Sequence, residues 1–286
     1  MKKKHFFALT ILSFFLTFFF FLPVLEKLRA LGIQDWDQNF AWNEFTRTSL
    51  LKFHQMPFWN PYRCGGSAFF ANPEISVISF QTFFVLLFGT VVGIKISILF
   101  HSILAFIGFF LLSKHYKLSS FGALFASLLF TFSGITGSFL ATGMVVFVSF
   151  AYSPFIFLTF LKSENNRKYL IISSLLFSLS FYHGYHISFL LFFVFIFYTL
   201  IKSIFCRNFR PISHFLVFTL LFTFFSLPKL LLSLYFVLKS SHYMNDFSGY
   251  TIPGLFYFLL SHRQNLFGDM GTTGYTYGID ENSLYV

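Results

Sequence analysis

Ile75-Ser76-Val77-Ile78-Ser79-Phe80-Gln81-Thr82-Phe83-Phe84-Val85-Leu86-Leu87-Phe88-Gly89-Thr90-Val91-Val92 is close to the length that crosses a bilayer. Whether it does so decides the side of every later loop. The stretch follows Asn72-Pro73-Glu74, carries Gln81, and is interrupted at Gly89 and again at Gly93. Glycine weakens a helix and an unpaired amide is costly in lipid. We read the stretch as interfacial helices lying on the outer surface.

The basic residues support this. Lys2 to Lys4, Lys114-His115-Tyr116-Lys117, Lys162 to Lys168 and Lys202 to Arg210 are short links between apolar segments. Cytoplasmic loops concentrate Lys and Arg in this way. All of these links share one side if residues 75–92 do not span. The expected spans are then 6–25, 94–113, 120–138, 144–161, 169–184, 186–201 and 212–235. A span needs about 20 apolar residues to cross a hydrocarbon layer of about 30 Å.

Composition points the same way. The chain is 56% hydrophobic and 10% charged, against roughly 25% charged in soluble domains. Lipid cannot satisfy backbone polar groups, so the spans are helices. The expected class is an all-α polytopic membrane protein of about seven transmembrane helices with a large first extracytoplasmic loop. Residues 1–25 form the first transmembrane helix, left uncleaved because Pro23-Val24-Leu25-Glu26 offers no small-residue cleavage site. Its N-terminus is cytoplasmic. Residues 26–93 form the outer loop, 94–240 a six-helix transmembrane region, and 241–286 an extracytoplasmic tail.

The net charge of +10 resides in the links, not in a basic patch with interleaved aromatics, so nucleic acid is not an expected partner. Cys64 and Cys206 fall on opposite sides and cannot pair, and neither has metal-ligand spacing. No internal repeat stands out, which weighs against transporters built from inverted repeats.

The polar chemistry is concentrated in the first loop: Gly32-Ile33-Gln34-Asp35-Trp36-Asp37-Gln38, then Pro57-Phe58-Trp59-Asn60-Pro61-Tyr62-Arg63-Cys64-Gly65-Gly66, then Ala71-Asn72-Pro73. These motifs, followed by Phe84-Val85-Leu86-Leu87-Phe88-Gly89 and Lys95, resemble the GT-C superfamily of membrane glycosyltransferases, and within it YfhO-like bacterial membrane proteins. The specific matches lie within residues 32–101. The resemblance implies a GT-C-like bundle in a bacterial inner (cytoplasmic) membrane. It further implies a polyprenyl-phosphate sugar donor, a glycan, lipid or protein acceptor of the cell envelope, and an acid in the first loop as base or metal partner. Relatives carry further helices, so the chain is expected to be truncated before them.

Asp35 is the candidate general base, since Gln38 completes an acid-x-x-Gln spacing similar to that of YfhO-like chains, and Asp37 is the second candidate catalytic acid. A carboxylate there would remove the acceptor's proton as it attacks the anomeric carbon. A structural role competes: either acid caps the helix expected near Asn39. Glu44 is read as lying on a solvated helix face. Lys95 and Arg63 are candidate cations for the departing phosphate, with a snorkelling lysine as the plain alternative. His101, inside a span, is a candidate by position. His183 and His186 sit at an outer turn, where His-x-x-His supplies too few ligands for a metal by itself. Trp59, with Trp36 and Trp42, suits either the bilayer interface or a sugar face. His262 and Arg263, in the tail, are candidates for the carrier phosphate. No metal site is assigned, and two acids alone do not decide whether a divalent metal is required.

Three functions stand at this point: a lipid-carrier-dependent glycosyltransferase, a transporter or flippase for lipid-linked sugars, and an inactive truncated membrane protein.

Overall fold

The computed structural model describes residues 3–22, 25, 35–63 and 65–239. Among these the chain is all-α apart from one short ribbon. The elements are α1 (Lys3–Phe20), α2 (Asp35–Leu51), β1 (Trp59–Asn60), β2 (Ser67–Ala68), α3 (Phe80–Phe88), α4 (Thr90–His115), α5 (Ser120–Thr131) and α6 (Gly134–Thr142). A 3-10 segment (Val145–Tyr152) then leads into α7 (Ser153–Lys162), followed by α8 (Lys168–His183), α9 (Tyr185–Cys206) and α10 (Arg210–Lys239).

Four helical stretches are long and apolar enough to cross a membrane: Thr90–His115, Val145–Lys162, Tyr185–Cys206 and Arg210–Lys239. Their outward faces suit lipid. Phe189, Phe193, Phe197, Ile201 and Phe205 on α9, and Leu216, Leu220, Phe224, Leu227 and Leu231 on α10, are all exposed. Apolar surface on that scale is unusual against water.

α4 is the central post. It packs against α1, α3, α5, the 3-10 segment and α7, while α8 joins α7 to α9 and α10. The core between α7, α8, α9 and α10 is largely aromatic: Phe160, Phe177, Phe195, Phe218 and Phe222 are buried together, with edge-on pairs such as Phe177–Phe222 at 4.7 Å. α8 contributes small hydroxyl residues at its contacts. Ser173 donates to the carbonyl of Ile156 on α7 at 2.9 Å, and Ser174 to that of Phe218 on α10 at 3.2 Å. Small polar residues let helices approach closely and bond across the gap.

Residues 75–92 form no continuous helix. α3 is nine residues long, roughly 13 Å at 1.5 Å per residue, less than half the thickness of a hydrocarbon layer. Ser79 caps it, accepting from the Thr82 amide at 3.1 Å, and Gly89 ends it at φ 82°. α3 then folds back on α4 so closely that a Cβ on Gly93 would lie 2.5 Å from the Val85 Cα.

Other expectations change. The span placed at 120–138 is two short helices, α5 and α6, parted at Phe132-Ser133. The span placed at 144–161 begins as a 3-10 segment. The helix expected near Asn39 begins at Asp35. Acids in a first turn complement the helix dipole, and Asp35 and Asp37 both occupy it.

Candidate functional site

α2 is fastened by polar contacts from three distant stretches. Asn39 donates to the Gly143 carbonyl at 2.5 Å. Gln81, on α3, donates to the side-chain carbonyl of Asn43 at 3.1 Å, and both residues are buried. Thr90, at the start of α4, donates to Glu44. Glu44, expected on a solvated face, is therefore tied to α4. Gly143 has φ 84°, and a Cβ there would run into the Trp36 backbone. The acidic end of α2 is thereby docked on the turn before the 3-10 segment.

This docking opens a cleft of about 190 Å³ lined by Asp35, Gln38, Asn39, Trp42, Glu74, Met144, Val146, Phe147 and His186. Asp35 comes from α2, Glu74 from the loop before α3, and His186 from the first turn of α9. His186 Nε2 stands 4.0 Å from Glu74 Oε1, an ion pair when the imidazole is protonated. The ring of Phe147 lies 5.0 Å from that of His186. Burial pushes the Glu74 carboxyl up from its ordinary value, the charge of Asp35 pushes it further, and Arg63 opposes both.

A larger groove of about 650 Å³ adjoins the cleft. Trp42, Phe45, Phe53 and Tyr62 give it aromatic walls; Gln38, Asn60, Lys52 and Arg63 give it polar groups. Gln38 and Trp42 line both spaces.

The structure sorts the expected residues. Asp35, His186 and Arg63 gather at the cleft and groove. Asp37 does not join them: it is exposed and lines neither space, because positions two apart on a helix face roughly opposite sides. Lys95 is buried within α4 and does not snorkel to water. Trp59 is exposed and lies over Gly66 in the β1–β2 ribbon. Trp36 and Trp42 are buried: Trp36 packs with Val85, Ile94 and Ile98, and Trp42 with Phe69, Phe70, Ile75 and Val77. Arg63 sits over the Trp42 ring at 5.9 Å.

His101 and His183 form a second, fully buried group. His101 pairs its Nε2 with the Tyr152 hydroxyl at 2.7 Å and its Nδ1 with the Ser97 carbonyl at 2.7 Å. The His183 ring lies edge-on to it at 4.8 Å, with neither nitrogen hydrogen-bonded. The two histidines of His-x-x-His therefore part: His183 turns inward and His186 lines the cleft. His262, Arg263 and Cys64 lie outside the described residues, as do Gly32 to Gln34.

Sequence reasoning missed Glu74 and Lys229. Glu74 follows Asn-Pro and reads as loop punctuation, while its partners come from distant parts of the chain. Among the described residues no three His, Cys, Asp or Glu side chains come close enough to hold a metal ion. Compared with protein-family models, with curated proteins and with solved structures, the chain matches none.

Proposed function

We propose that this is a membrane glycosyltransferase of GT-C type, similar to YfhO-like proteins, moving a sugar from a polyprenyl-phosphate carrier to a cell-envelope acceptor. The observation that carries the reading is a cleft lined by Asp35, Glu74 and His186, sharing Gln38 and Trp42 with an aromatic groove. In the reaction, an acceptor hydroxyl attacks the anomeric carbon and Asp35 takes its proton. The bond from that carbon to the phosphate oxygen breaks, and polyprenyl phosphate leaves with the electron pair. Arg63 and Lys52, lining the groove, offset the charge of the leaving phosphate. The aromatic walls of the groove suit the C–H faces of the sugar or acceptor. The full proposal places the cleft outside a bacterial inner membrane with the N-terminus in the cytoplasm. Its seven spans would add α1, the α5–α6 pair and α8 to the four long stretches.

Native mass spectrometry of the detergent-purified protein tests for a retained polyprenyl phosphate or its sugar. Asp35→Asn is expected to abolish transfer from that donor while leaving membrane insertion intact. Full transfer by this variant would remove Asp35 as base.

One observation favours a second reading. His101, Tyr152 and His183 form a buried ionisable cluster inside the spans, beside the 3-10 segment, and such groups mark transport pathways. A flippase for lipid-linked sugars would move its cargo regardless of substitution at Asp35 and Asp37.

A further inference from the structure

Lys229 lies deep in α10, directly after Pro228, and is 1% exposed. Its ammonium reaches out of the helix to three backbone carbonyls of the first loop: Phe70 at 3.0 Å, Asn72 at 2.8 Å and Ile75 at 2.8 Å. Three acceptors match the three donors of a protonated lysine. The Phe70 ring lies 5.2 Å from the same nitrogen. Burying a charge is costly unless it is fully paired, and bonds to a charged donor are among the stronger ones.

The loop so held is the one that carries Glu74. The Asn72 side chain accepts from the Glu74 amide at 3.0 Å, and Ile75 is buried beside Trp42. Tyr182, from α8, packs on that same cluster. The backbone around Glu74 is thus fixed from three sides: by α10 through Lys229, by Asn72 from within the loop, and by the apolar cluster that buries Ile75.

We propose that Lys229 is the positioning residue for the cleft, its ammonium holding loop 70–75 so that Glu74 stands beside Asp35 and His186. The proposal rests on the reading of that cleft as the reacting site. It predicts an effect confined to Glu74, where a general structural role would loosen the whole bundle.

The test uses full-length protein with Cys64→Ser and Cys206→Ser, carrying one new cysteine at Glu74→Cys or, as a control inside the bundle, at Ser173→Cys. Labelling by a hydrophilic maleimide is timed in detergent without substrate. Lys229→Met keeps the stem and removes the donors. It is expected to speed labelling at position 74 by about tenfold or more, the change in loop opening that loss of even one of the three charged hydrogen bonds would set. Position 173 stays slow, and Lys229→Arg returns position 74 to within about threefold of the lysine protein because it keeps donors in reach. Equal rates at position 74 with Lys229 and with Met, or acceleration at both positions, overturn the proposal. Should Lys229→Met fail to accumulate, Lys229→Gln, which stays polar but cannot supply three donors to the loop carbonyls, is expected to speed labelling at position 74 alone, and no change there overturns it. Labelling needs no turnover, so this result is separate from the fate of the transferase reading. Where transfer is measured, Lys229→Met and Glu74→Gln are expected to lower kcat non-additively with KM unchanged.

Discussion

Glu74 faces His186 across 4.0 Å, joining the loop before α3 to the first turn of α9. Neither side chain is near the other in sequence, and neither lies in the acidic motif of the first loop. Together they supply the wall opposite Asp35, so the cleft is a product of helix packing as much as of that motif.

The Glu74 carboxyl gives a pH signature. Burial and the Asp35 charge hold it above its ordinary value of 4.5. Such a group stabilises the fold fully below its unfolded value, and that contribution is lost as pH rises through the raised folded value. Thermal unfolding in detergent from pH 4 upward is therefore expected to show wild type losing stability relative to Glu74→Gln. A constant difference between the two across the range would contradict the assignment.

Gly143→Ala tests the docking of α2. The new Cβ meets the Trp36 backbone and the residue must hold φ 84°. A left-handed conformation in a residue other than glycine costs about 1–3 kcal/mol, and the contact adds to it. A lower unfolding temperature is expected, with proteolysis of α2 faster than in wild type.

Asn43 and Gln81 are both buried and bonded at 3.1 Å. Either single change to Ala leaves a buried amide without this partner, which costs about 1–3 kcal/mol. The double variant is expected to cost less than the sum of the two. Strict additivity in a double-mutant cycle would mean the bond is absent in solution.

The two buried histidines are expected to respond in opposite ways. His101→Leu strands the buried Tyr152 hydroxyl, a loss of about 1–3 kcal/mol, while the Ser97 carbonyl keeps its bond within the helix. His183→Leu removes a ring whose nitrogens make no hydrogen bond, so the unfolding temperature is expected to stay level or rise. A large loss at His183 would show that its nitrogens hold something.

The helical character of the chain, with four stretches long and apolar enough to cross a membrane, was legible because it rests on local properties: apolar runs and the Gly89 break that separates α3 from α4; Gly93, read as a second break, lies inside α4. The break inside 120–138 was not legible. Nothing in Phe132-Ser133 forbids a helix, and Ser133 becomes a helix boundary through its surroundings. Asp35 and Arg63 were legible as polar residues in an apolar chain. Trp36 and Trp42 stayed open between the bilayer interface and a sugar face because a tryptophan in a loop suits either until its neighbours are known; both are buried, and Trp42 lines the groove. Glu74 and Lys229 were invisible as a set, since α10 meets the first loop only after the helices between them have packed.

The fastening of α2 by Gly143, Gln81 and Thr90 has a practical result. Cut loose, its seventeen residues would be near the length at which isolated helices are marginal in water, and Asn and Thr are weak helix formers. An antibody raised against the linear 35–51 peptide would meet a shape that the assembled protein does not present. Grafting that segment into another scaffold would likewise carry over its letters without its cleft.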